Sequence, residues 1–431
     1  MSLNESLTLL RIKQLLIFIF PVSILVDLAS GFCTVQLGTY IPIAQLFRVI
    51  IMAAITYLLS VRAKPLVIWM ILIQILFFIL ASSFWLIIFD FEPNNGFSPG
   101  IEIESFSKIL YFLLMPTFFI VYKEEIQQLN PLKIISDYGL IISGAIIFSF
   151  LTGFGNSTYG HDYGFGTKSY FKAGNDLSLT ILYTSVTSSL YLLSRFGWPR
   201  VAILLTISLG GILIGSRVGL IGTSFWLTLL VCYIVFIYRP ADHRLRRRFL
   251  ILRPLILTCY FLCACGVIYY LLSIFDNYML FKYTSIGLRT ARTMLTDPAE
   301  VYINRFEWYE AAFGKGMASL YYYVAQSFGS WTDYRMVEAD FHELLGGYGY
   351  IGFFLIISPF VYFMLAALKQ YVSHPDFTLF AILFVTASFL AIAFLAGHCL
   401  RNTMVAPIYA YIVSLLFHGK KRPARKQRLS I

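Results

Sequence analysis

Along the chain, apolar positions gather into blocks, most of eighteen residues or more, separated by short polar breaks. A helix rising about 1.5 Å per residue needs about twenty apolar residues to cross a bilayer core of about 30 Å, so each block reads as a span. The pattern predicts about twelve membrane-crossing helices, at 14–33, 41–61, 65–89, 105–122, 134–154, 173–194, 199–215, 217–238, 254–275, 345–368, 376–396 and 401–417. The expected fold class is all-α: one polytopic membrane domain over 1–431, with a large loop at 276–344 and a basic tail at 418–431. Inside the loop, 285–296 and 301–313 carry the spacing of short amphipathic helices lying on a leaflet. Arg11 and Lys13 precede the first block and no small-residue cleavage site follows it, so it reads as an uncleaved span.

Composition agrees with this reading. Charged residues make up 13% of the chain, against about 25% in soluble domains, and apolar residues 58%. The net charge of +11 would ordinarily raise nucleic acid as a partner. Here the charge sits at helix ends and in the tail, which topology and membrane lipids explain better, and no nucleic acid is expected. Cys259 and Cys263 share a helix face without further ligand residues beside them, so neither a metal nor a cofactor is expected. Cys33 and Cys399 both fall near the outer boundary, close enough in depth for a disulfide to be conceivable.

Charge also gives the chain a direction. With the N-terminus inside, the inner segments hold 21 of the 33 Lys and Arg, including Arg244, Arg246, Arg247, Arg248 and the tail from Lys420 to Arg428. Both termini are then cytoplasmic. Twelve basic residues depart from the rule: Arg48, Lys108, Lys168, Lys172, Arg217, Lys282, Arg289, Arg292, Arg305, Lys315, Arg335 and Arg401. They fall on the outer side or within spans, where a cation needs a partner, and an anionic ligand at the outer boundary would be one. Arg suits such a ligand because its planar fork binds phosphate oxygens in pairs.

Each candidate has a structural reading beside the functional one. Arg217 opens a span just after Gly215 and Ser216, as an anion site at a helix start or as an interfacial anchor. Lys168, Lys172, Asn175 and Asp176 stand at the start of the sixth span, where Asp176 alone reads best as a helix cap. Asp27 and Arg48 lie about 9–10 Å below the outer ends of the first two spans and are expected to pair across the hairpin and support a cavity wall. Arg289 and Arg292 share one helix face, and Arg305 opens R-F-E-W-Y-E-A-A-F-G-K-G, with headgroup binding as the plain alternative. The segment E-A-D-F-H-E-L-L-G-G-Y-G holds Glu338, Asp340, His342 and Glu343, while His398 and Arg401 close the last hairpin. Acid/base groups beside cations are what glycosyl transfer needs, since a hydroxyl loses a proton while a pyrophosphate departs. Tyr321, Tyr322, Tyr323 and Trp331 offer stacking faces for sugars, or are interfacial aromatics.

In order along the chain, G-S-R at a span start, K-x-x-x-K-A-G-N-D, the Arg305-to-Gly316 stretch and E-x-D-F-H-E-L-L-G-x-x-G resemble the O-antigen polymerase and O-antigen ligase superfamily, over about 130–415. The first four spans match only in general character. The resemblance implies a multi-pass enzyme of the bacterial inner membrane that joins undecaprenyl-pyrophosphate-linked oligosaccharides on the periplasmic face, by metal-independent inverting transfer. It implies Arg217 and Arg305 as holders of the donor pyrophosphate; on their own placement Lys172, Lys168, Arg289 and Arg292 are expected to assist. It implies His342, Asp340 or Glu338 as the proton acceptor. Ligases of the superfamily carry a histidine at the His342 position followed by Asn or Ser, where this chain has Glu343, so a polymerase of O-antigen or exopolysaccharide repeats is the closer likeness. The alternatives are a ligase acting on lipid A-core and, from another class, a lipid-linked glycan transporter or flippase. A transporter predicts repeat symmetry and polar groups near the midplane, neither of which the sequence shows. A chain-length regulator and a repeat-unit flippase are the protein partners such a polymerase implies.

Overall fold

The computed structural model describes residues 3–39, 42–63, 65, 72, 98–158, 166–238, 253–258, 260–262, 264–266, 268–269, 293–330, 334–395, 397 and 399–417. Among the described residues eight helices are long and apolar enough to cross a membrane: Ser6–Val35, Ile43–Arg62, Pro99–Val121, Pro131–Thr152, Gly174–Ser194, Val218–Ile237, Asp340–Ser373 and Phe377–Leu395. Three shorter apolar helices, Trp198–Leu213, Arg253–Gly266 and Ala406–Phe417, fall where spans were predicted. The chain is thus an all-α polytopic membrane protein; the predicted span at 65–89 lies outside the described residues except for 65 and 72.

Local sequence explains departures from regular helix. Pro21 lacks an N–H, and the first span widens into a π turn over Phe18–Val22. The Ser23 hydroxyl donates to the Ile19 and Phe20 carbonyls at 2.8 and 2.9 Å, meeting backbone need that lipid cannot. The Gly174–Ser194 helix is the central strut. It carries Ser178, Thr180, Thr184, Ser185, Thr187, Ser188 and Ser189, all buried against protein rather than lipid. Several of these hydroxyls bond back to the preceding turn, as Ser178 does to Gly174 O and Thr187 to Tyr183 O. A second core is aromatic: Phe112, Phe360, Phe389 and Tyr409 meet with ring centroids 4.6–5.7 Å apart.

The segments expected on the outer side hold more structure than their patterns predict. A two-stranded antiparallel hairpin, Asn156–Ser157 with Thr167–Ser169, precedes the central strut. In the long loop the described helices are Thr293–Ile303, Trp308–Phe313 and Met317–Gln326. The predicted helix at 301–313 is therefore broken. Glu307 starts a new helix through a capping box with Glu310, which separates Trp308–Phe313 from the turn before it. The segment 285–292 lies outside the described residues.

The loop is fastened to the span by glycine. The Asp340–Ser373 helix breaks at Gly349, whose φ of 62° no β-branched or bulky residue adopts at low cost. A Cβ there would lie 2.5 Å from the Ala312 carbonyl, and one on Gly314 would lie 2.4 Å from Gly347. The two backbones run in contact, with Lys315 N–H donating to Gly346 O and Gly316 N–H to Gly347 O, both at 3.0 Å. Two motifs noted in the sequence, F-G-K-G and L-L-G-G-Y-G, are thus the two halves of one joint.

Candidate functional site

The site begins with an ion pair. Arg48 Nη2 stands 2.5 Å from Asp27 Oδ1, joining the first two spans across their hairpin as expected. Above it, the hairpin region lies directly on the first span at Gly31, where a Cβ would meet the Tyr170 carbonyl at 2.0 Å. That contact, with Phe171 buried behind it, brings Lys172 over Asp27. The Pro99–Val121 helix adds Glu104 and Lys108, one turn apart on one face, with Nζ 2.7 Å from Oε1. Gln45 Nε2 reaches the same oxygen at 3.4 Å.

The fourth cation comes from the loop before the last helix. Arg401 is buried, paired with buried Glu343, and donates to the Tyr321 hydroxyl. Burial opposes its charge, but Glu343, and after it Tyr321 and Asp340, outweigh burial and hold the guanidinium protonated above its ordinary pKa. Asp340 fixes this loop by accepting the Cys399 and Leu400 N–H groups at 2.7 and 3.0 Å. Asn402 ties it to the central strut, donating to Asp176 O at 2.9 Å and accepting the Met404 and Val405 N–H groups in the turn before the last helix. Tyr321 rides on Met317–Gln326, whose N-terminus is held from below: buried Glu102 Oε1 accepts the Ala318 N–H at 2.8 Å.

These segments enclose a cavity of about 90 Å³ lined by Arg48, Lys108, Lys172 and Arg401, with Asp27, Glu104 and Asp176 among them and Ser30, Gln45 and Thr403 between. A cavity needs about 10–15 Å³ by this measure for one water, so the space admits several waters or a phosphate-sized anion. A second cavity of about 70 Å³ touches Glu104, Lys108 and Arg401 from the other side, under Tyr321, Tyr334 and Met336. Arg48, Lys108 and Arg401 each hold a carboxylate partner, so nitrogen donors converge from several elements without accumulating uncompensated charge. Among the described residues no group of three or more His, Cys, Asp or Glu is gathered as metal ligands.

A family profile described as O-antigen ligase like membrane protein matches residues 11–283. The chain belongs to that family. No curated protein sequence matches it significantly. The profile takes in the first spans, which by motif match the family only in general character, and it ends before Arg305 and His342.

Against the family's motifs, the expected site residues fall in three places. Lys172, Arg48, Asp27 and Arg401 line the cavity. Lys168 stands beside it, its Nζ donating to Lys172 O at 3.2 Å and its pKa lowered by burial, while Asn175 is exposed on the first turn of the strut. Asp176 does not cap that helix, which starts one turn earlier at Ala173, and its side chain turns to the cavity instead. Arg217 stands outside the wall, at a corner docked on the strut by a Ser216–Ser178 hydroxyl contact of 2.5 Å. Arg305 is exposed just after Thr293–Ile303. Of the expected proton acceptors, Asp340 is committed to two backbone donors and His342 Nε2 lies 3.1 Å from Glu300 Oε1. Glu338 sits at φ 60°, its carbonyl against Gly397. None of the three lines either cavity. Arg289, Arg292, His398 and Trp331 lie outside the described residues. Cys33 and Cys399 are free thiols, so the conceivable disulfide is not formed.

Sequence reasoning passed over Glu104, and noted Glu343 without seeing its partner. The signal for Glu104 was E-x-x-x-K at the mouth of an apolar span, a spacing that pairs charges on one helix face. Glu343, which departs from the ligase pattern, is the counter-ion that lets Arg401 be buried.

Proposed function

We propose that this family member is a polysaccharide repeat-unit polymerase of the bacterial inner membrane, working on the periplasmic face with both termini in the cytoplasm. The observation that carries the reading is the cavity where Arg48, Lys108, Lys172 and Arg401 converge from four separate segments beside carboxylates. Its substrate is an undecaprenyl-pyrophosphate-linked oligosaccharide of O-antigen or exopolysaccharide type. The non-reducing hydroxyl oxygen of one lipid-linked repeat bonds to the anomeric carbon of the chain on another. The bond from that carbon to the pyrophosphate oxygen breaks, the lipid pyrophosphate leaves with the electron pair, and the hydroxyl proton passes to a carboxylate. The four cations stabilise charge that grows on the departing pyrophosphate. Arg217 and Arg305, outside the wall, keep the role their motifs imply, holding the pyrophosphate as it arrives or departs.

The ligase reading requires a histidine to take the acceptor proton. His342 is engaged with Glu300 and is no part of the cavity wall, which favours the polymerase. Deleting the gene and displaying the surface glycan by gel separates the two. Loss of long chains with single repeats still attached supports the polymerase, and loss of every repeat supports the ligase. In the complemented strain, Lys172→Ala, Arg217→Ala and Arg305→Ala are each expected to abolish extension at unchanged protein level. Normal chains from all three would overturn the pyrophosphate site.

A further inference from the structure

The cavity that holds the cations is one of two that share a wall. Glu104, Lys108 and Arg401 line both. Beyond them the first chamber adds four charged residues, Asp27, Arg48, Lys172 and Asp176, among small, polar and apolar ones; the second adds Ile101, Ser105, Tyr321, Tyr334 and Met336 and no further charge. These surfaces suit different ligands. A pyrophosphate wants donors on every side and has no apolar face. A sugar ring has apolar C–H faces and a hydroxyl edge, and so wants an aromatic or aliphatic face opposite a polar one. The second chamber is built in that way. Tyr334 and Met336 are partly exposed on its outer side, and Tyr322 backs the Tyr334 ring at 6.0 Å between centroids. Apart from the tyrosine hydroxyls, its polar side chains are Ser105 and the three shared residues. Tyr321 presents its ring while its hydroxyl is taken by Arg401.

We infer that the second chamber is the acceptor subsite, binding the non-reducing terminal sugar of the second glycan between Tyr334, Met336 and the Pro99–Val121 helix. This rests on the polymerase reading and adds a direction to it. Donor pyrophosphate lies on the charged side, acceptor sugar lies under the loop, and Glu104 stands where both chambers meet. The acceptor hydroxyl, held at that wall, loses its proton to the Glu104 carboxylate as its oxygen bonds to the anomeric carbon and the pyrophosphate departs towards Lys108 and Arg401. Before the donor arrives, Glu104 is held at this wall by Lys108 at 2.7 Å and Gln45 at 3.4 Å.

The test uses the full chain purified into lipid nanodiscs. The donor is the lipid-pyrophosphate-linked repeat extracted from the strain that makes it; the acceptor is the lipid-free oligosaccharide released from the same material by mild acid. Extension is measured while each substrate is varied in turn. Tyr334→Ala is expected to raise the half-saturating acceptor concentration about two- to tenfold, the worth of one aromatic contact, and leave that of the donor unchanged. Tyr334→Phe is expected to restore the acceptor value. Should Tyr334→Ala lower the yield of folded protein, Met336→Trp, which fills the chamber from its rim, is expected to give the same one-sided effect. An equal rise for both substrates, or a change in neither, would overturn the subsite. No extension by the unsubstituted protein would overturn the polymerase reading, and this one with it.

Discussion

Arg401 and Glu343 give the sharpest physical test of the site. Their side chains are 7% and 1% exposed, and the pair sits between the loop helix that carries Tyr321 and the last span. Two unit charges about 4 Å apart interact by about 4 kcal/mol at an effective dielectric of 20. Removing one partner of such a pair costs about 3–5 kcal/mol, because the survivor stays buried and uncompensated. Glu343→Leu and Arg401→Met should therefore each destabilise the protein by about that amount. The double variant Arg401→Met/Glu343→Leu should cost clearly less than the sum, since no charge is left stranded. Equilibrium unfolding in mixed micelles with increasing SDS measures all four proteins of the cycle. Single-variant losses below about 1 kcal/mol, or a double variant equal to the sum of the singles, would refute the pair as an anchor of the cavity.

Three further outcomes are expected. Arg48→Ala should lower both protein level and extension. The swap Asp27→Arg/Arg48→Asp should restore the level without restoring chains on the gel, because the cation then stands on the wrong helix; restored chains would make the pair purely structural. His342→Ala should keep extension within about twofold, since its Glu300 partner is 59% exposed and such a pair is worth little; loss of all glycan attachment would return the ligase histidine. Gly349→Ala should abolish folded protein by blot, as its Cβ would strike the Ala312 carbonyl at 2.5 Å at a positive φ, and a normal level would dissolve the joint between loop and span.

The spans were legible because a bilayer leaves few choices: a block of about twenty apolar residues has little else to become. The loop was not. Helix Met317–Gln326 starts after two glycines with no side-chain cap of its own, and the oxygen that meets its N-terminus belongs to Glu102, more than two hundred positions away. Glycines 314, 346, 347 and 349 carry no assignment of their own in the sequence, and they prove to be where loop and span pack in contact. Asp27 and Arg48 could be paired from depth alone, because two opposite charges on adjacent spans have nowhere cheaper to go. Arg401 with Glu343 could not, since nothing local links position 343 to position 401. Asp340 and His342 look alike in sequence as acid/base candidates, yet one holds a loop and the other meets a surface glutamate.

The same rule that marked the outer cations also shapes how the site works. A lone cation at membrane depth is costly, so Arg48, Lys108 and Arg401 are each paired with a carboxylate. A cavity of that kind is close to neutral when empty, and it does not trap whatever anion passes. On the proposed function, the donor pyrophosphate would draw on donors already engaged, and would do so best where partners can shift. Glu104 is the partner with that freedom: its side chain is 27% exposed, while Glu343 is at 1%. As the pyrophosphate takes up Lys108, the Glu104 carboxylate loses its counter-ion, and a carboxylate without its cation is a stronger base. Donor binding would thus prepare the proton acceptor for the second sugar. Replacing Glu104 by Gln should then leave donor binding intact and stop extension, whereas Lys108→Ala should weaken donor binding as well. If Glu104→Gln instead loses donor binding in step with extension, the carboxylate serves only to hold Lys108 and the proton leaves by another route.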